Sequence, residues 1–66
     1  MKELVENFLI IDGVPVNRTN VEIMNYLTNE LGYSFYSSRG IMGMAVLKGY
    51  MRCIHDNGAG IKTYIA

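Results

Sequence analysis

The run from Gly49 to Ala66, GYMRCIHDNGAGIKTYIA, sets two stretches rich in β-forming side chains on either side of the glycine-rich turn DNGAG. Tyr50, Ile54, Ile61, Thr63, Tyr64 and Ile65 favour extended backbone, and the Asn-Gly step between them is the composition of a chain reversal. The segment predicts a C-terminal β-hairpin whose arms carry Arg52 and Lys62. A competing pattern continues the preceding helix through Lys48, Arg52, His55 and Asp56 to Asn57. Gly49 punctuates that pattern, and the strand is preferred.

Upstream, TNVE is a capping box: Thr19 stands three residues before Glu22, the spacing at which the two side chains satisfy each other's orphan backbone N–H groups. A helix should begin near Asn20. Ile23, Met24, Leu27 and Leu31 follow at spacings of three and four, and Gly32 supplies the left-handed stop. After YSFYSS, Ser37 or Ser38 can cap a further helix running to about Lys48, with Ile41, Met44, Ala45 and Leu47 available to pack. Gly40 and Gly43 each cost up to about 1 kcal/mol inside a helix relative to Ala, which suggests close approach to a neighbouring helix. At the N-terminus, Leu4, Val5, Phe8 and Leu9 recur at helical spacing, so KELVENFLI reads as a short amphipathic helix. The alternative makes FLIIDGVPV a hairpin turning at Asp12 and Gly13.

At 66 residues the chain is one domain, residues 1–66, and half of it is hydrophobic. A domain this short buries only about 60% of its unfolded surface, so each apolar segment counts. The expected fold class is α+β, three helices followed by a β-hairpin. The apolar runs FLII and MAVL are far below the roughly 18 residues that span a bilayer, and MKELVENF is not the start of a signal peptide. No membrane association and a cytoplasmic setting are expected, with Cys53 as a small, half-buried hydrophobe.

The net charge of zero is unevenly spread. Residues 1–31 carry two basic and five acidic residues, net −3, whereas residues 32–66 carry Arg39, Lys48, Arg52 and Lys62 against Asp56, net +3. A basic half is the kind of asymmetry that polyanions select, through counterion release.

The succession of a capped helix ending in LGY, a serine-started helix SSRGIMGMAVL, the step KGYM and a hairpin closing on TYIA resembles a winged helix-turn-helix domain. More narrowly, it is similar to the C-terminal winged-helix module of replicative helicase-primase proteins of phages and mobile elements. The resemblance spans roughly residues 19–66. It implies a DNA-binding module of phage or mobile-element type, engaged in DNA replication, with single- or double-stranded DNA as partner. It puts Ser37, Ser38 and Arg39 at the start of the recognition helix, Lys48 at its end, and Arg52, Asn57 and Lys62 on the wing. Contacts of this kind position a protein on phosphates, and Arg39 is the candidate for reading a base.

A rival of another class keeps the fold but docks a protein partner through the apolar helix around Met42 and Met44, as a small phage-type inhibitor or adaptor. Tyr33, Phe35 and Tyr36 invite a stacking platform for unpaired bases, although core positions are the commoner use of aromatics. His55 with Cys53 and Asp56 does not compose a tetrahedral zinc site, GAG is too short to cradle phosphate, and no nucleophile, base and acid are spaced for catalysis. The chain is therefore expected to be no enzyme and to use no cofactor or metal.

Overall fold

Thr19 opens a helix whose start is fixed by reciprocal side-chain caps. The computed structural model describes all 66 residues, and in it the capping box is complete: Thr19 Oγ1 accepts from the Glu22 N–H at 3.1 Å, and the Thr19 N–H donates to Glu22 Oε1 at 2.8 Å. The helix, α2, covers residues 20–30, α-helical over Asn20–Asn25 and wider, with π-type turns, over Tyr26–Glu30. Gly32, at φ 77°, ends it, and the Tyr33 N–H returns to the Leu27 carbonyl at 3.0 Å.

The next helix, α3, spans Phe35–Leu47 and corrects the expected start. Neither Ser37 nor Ser38 is the cap. Ser34 is extended and its Oγ accepts from the Ser37 N–H at 3.1 Å, so both later serines lie inside the helix. Gly49, at φ 79°, closes α3, with the Tyr50 N–H on the Ala45 carbonyl at 2.8 Å.

Both N-terminal expectations hold, in succession. Residues 2–9 form α1, α-helical over Lys2–Leu4 and π-helical over Val5–Leu9. A hairpin follows at once, pairing β1 (Ile10–Ile11) with β2 (Val14–Pro15). Asp12 (φ 51°) and Gly13 (φ 78°) both take positive φ, as a two-residue type I′ turn requires. A two-residue strand, β3 (Arg18–Thr19), then leads into α2. The C-terminal hairpin consists of β4 (Arg52–Asp56) and β5 (Lys62–Ile65), and β3 adds antiparallel to β5, giving the sheet order β3-β5-β4. The architecture is thus α+β: three helices and two small antiparallel sheets. No helix is long and apolar enough to cross a membrane.

The core is small. Leu4, Leu9, Ile23, Leu27, Ala45 and Met51 are its fully buried apolar residues, drawn from all three helices and from the approach to β4. A stack on its edge ties α1, β3 and α2 together: Phe8 and Tyr26 lie nearly parallel with ring centroids 4.4 Å apart, the Arg18 guanidinium covers Phe8 at 4.1 Å, and Arg18 Nε donates to the Phe8 carbonyl at 2.9 Å.

Helix α3 presents an unexpected face to the core. Its buried residues are Ser38 and Ala45, two small side chains one above the other, and the Ser38 hydroxyl has no partner. Met44 and Leu47, expected to pack, are exposed, Leu47 by 79%. Cys53 is exposed as well, not half-buried. Gly40 and Gly43 do not mediate close packing, because a Cβ added at either meets nothing within 4 Å. Both are helical and unobstructed, so Gly40→Ala should stabilise the fold by about 0.5–1 kcal/mol. Thermal unfolding followed by circular dichroism should register this as a rise of about 2–8 °C in Tm.

Candidate nucleic-acid interface

The C-terminal hairpin is locked to the start of α2 by one side chain. Asn20 Nδ2 donates to the Gly60 carbonyl at 3.0 Å, and Asn20 Oδ1 accepts from the Lys62 N–H at 3.1 Å. The turn holds itself by asparagine and aspartate chemistry. Asn57 Oδ1 accepts from the N–H groups of Ala59 (2.8 Å) and Ile61 (3.0 Å), and Asp56 Oδ1 from that of Gly58 (2.9 Å). Asn57, expected as a contact residue of the wing, therefore has its carbonyl oxygen committed to forming the turn.

With the hairpin pinned to the start of α2, a groove of about 530 Å³ is left, bounded by α2, α3 and β5. Val21, Met24 and Asn25 of α2 line one wall, and Phe35, Arg39 and Met42 of α3, at helical spacing, line the other. Lys62 and Tyr64 close it from β5, with Gly60 and Asn20 at the pinned end. No carboxylate lines it. Asn25 makes no side-chain hydrogen bond, and the only ion pair of the whole chain joins the N-terminal amine to Glu3. Arg39 and Lys62 thus share one groove with their charges uncompensated by an ion pair.

The other expected contacts do not converge there. Arg52 pairs directly with Ile65, and Lys62 lies three residues from Ile65 on the same strand, so the two basic side chains leave opposite faces of the hairpin. Lys48 sits at the C-terminal end of α3, remote along the helix from Arg39. Ser38 is fully buried, which removes it from any interface, and the N–H groups of Ser37 and Ser38 are already bonded to Ser34. Of the seven contact residues expected, Arg39 and Lys62 alone line the groove.

The two arginines near aromatic rings differ in role. Arg18 lies flat on Phe8 and is held by a hydrogen bond. Arg39 stands 5.9 Å from the Phe35 centroid with no hydrogen bond, and both of these side chains are exposed. Tyr33, Phe35 and Tyr36 are exposed by 41, 57 and 84%, so none of the three is a core aromatic. Asn20, Asn25 and Tyr64 were not singled out beforehand as site residues. The pairing of β3 with β5 helps bring Tyr64 and Lys62 alongside α2, and no local pattern in the sequence announces that pairing.

No family model, curated protein or solved structure matches this chain.

Proposed function

We propose that the protein is a winged-helix DNA-binding module that holds phosphates between α3 and the β4–β5 hairpin. The carrying observation is the convergence of Arg39 and Lys62, both exposed and unpaired, in a groove without a carboxylate. The element order supports the reading, with two helices joined by a short turn and followed by a hairpin, which here is held to the start of the first of them. The link from Asn20 to the hairpin supports it too, since a wing held at a fixed distance from the recognition helix presents its cation without an ordering cost.

Two cations rather than four set the expected strength. Two phosphate contacts give a slope of log K against log salt of about −1.4 on a single strand and −1.8 on a duplex. Fluorescence anisotropy of a labelled oligonucleotide across a sodium chloride series measures it directly. A slope near zero would remove phosphate contact as the mechanism.

A second reading rests on a different surface. Tyr36, Gly40, Gly43 and Leu47 recur at spacings of four, three and four and form the outer stripe of α3, with Tyr36 and Leu47 exposed by 84% and 79%. Such a stripe suits a protein partner better than a base edge. Met44, exposed by 41%, flanks it, whereas Met42 packs against the core, so Met42 is unsuitable as the anchor originally expected. Loss of a protein interaction on Leu47→Asp, with DNA binding unchanged, would favour this second surface.

A further inference from the structure

We infer that the groove takes an unpaired strand in preference to a duplex, with one base stacked on Phe35 and the adjoining phosphates on Arg39 and Lys62. This rests on the nucleic-acid reading above and narrows its ligand.

Three features lead to it. The first is that Phe35 is an apolar ring left more than half exposed at the groove wall, although a chain this small has few apolar side chains to spare. An exposed aromatic beside uncompensated cations is the pairing that single-strand binders use: the ring stacks any base and the cations follow the backbone. The second is the separation of Arg39 from that ring. At 5.9 Å, against 4.1 Å for Arg18 over Phe8, Arg39 sits at the outer limit of a cation–π contact with Phe35 and has no hydrogen bond to break before engaging a phosphate.

The third concerns what a duplex would meet. A helix laid in the major groove reads base edges with polar side chains on its outer face. On α3 that face offers Gly40, Gly43 and Leu47, with the Tyr36 hydroxyl as its one hydrogen-bonding group. The groove, by contrast, carries the free carboxamide of Asn25 along with both cations, and its volume lies within the range of small-ligand sites, room for a base that has left its partner.

The chain contains no tryptophan, so Phe35→Trp installs a single reporter at the stacking position. Oligo(dT) and a hairpin duplex of equal nucleotide count are titrated in parallel at low salt, by anisotropy for the wild type and by indole emission for Phe35→Trp. The expected result is tighter binding of oligo(dT) than of the duplex, quenching of the indole by oligo(dT), and about a tenfold loss of oligo(dT) affinity in Phe35→Leu. Phe35→Tyr, which keeps a ring, should retain affinity. Because Phe35 is exposed, these variants should leave the circular dichroism spectrum unchanged. Equal or tighter duplex binding, or oligo(dT) binding indifferent to Phe35→Leu, overturns the single-strand inference while leaving DNA binding in place. Binding of neither ligand overturns both.

Discussion

Leu27→Ala should leave the chain largely unfolded at room temperature. Leu27 is 1% exposed and sits one helical turn after Ile23, at the centre of a core with only six fully buried apolar residues. Truncating a buried leucine costs about 2.7–5 kcal/mol, the transfer of the lost atoms plus the cavity they leave. A core in a domain of this size rarely supplies more than about 3–5 kcal/mol in total. The loss thus equals the whole margin, and little in the fold can offset it: there is no disulfide, and the one ion pair is an exposed contact at the N-terminus. Far-UV circular dichroism should show a coil-rich spectrum, and a urea titration should lack a folded baseline. Val21→Ala, in the same helix at a position 47% exposed, should keep a cooperative transition. A cooperative Leu27→Ala with nearly wild-type stability would mean that the core is not where the burial pattern puts it.

The elements legible in the sequence are those written in local chemistry. The Thr19–Glu22 box, the Gly32 and Gly49 stops and the DNGAG turn each act within a few residues, and each appears where it was expected. The start of α3 was obscured by three serines able to cap it. Ser34 takes the role, and beginning there brings Ser38 and Ala45 inward while Phe35 and Arg39 turn to the groove. Helical periodicity could not reveal this phase, because α3 carries apolar residues on every side and glycines where a polar face would normally identify solvent. The two-residue β3 strand was equally hidden, since pairing of Arg18 and Thr19 with Tyr64 and Thr63 is a long-range event with no local signature. That pairing also decides the site. Charge counting placed four basic residues in one half of the chain, and only the register of β5 separates Lys62 from Arg52.

That separation predicts a contrast between variants of similar charge. Arg39→Ala combined with Lys62→Ala should weaken oligonucleotide binding about 25-fold on a single strand, or 60-fold on a duplex, at about 0.1 M salt, the loss expected when two phosphate contacts are removed. The dependence on salt should nearly vanish at the same time. Arg52→Ala combined with Lys48→Ala removes an equal charge from outside the groove and should change affinity far less. Long-range attraction cannot account for such a difference, because beyond about 10 Å at this ionic strength exposed charges are largely screened and only short-range contact separates the two faces. Neither Arg39 nor Lys62 donates a side-chain hydrogen bond or joins an ion pair, and both are exposed, so the double variant should keep its wild-type Tm within a few degrees. Equal losses from the Lys48→Ala/Arg52→Ala variant and from the Arg39→Ala/Lys62→Ala variant would instead describe a diffuse positive field around the C-terminal half. In that case the groove would not be the binding site, and the apolar outer stripe of α3 would become the better candidate for what this fold presents to a partner.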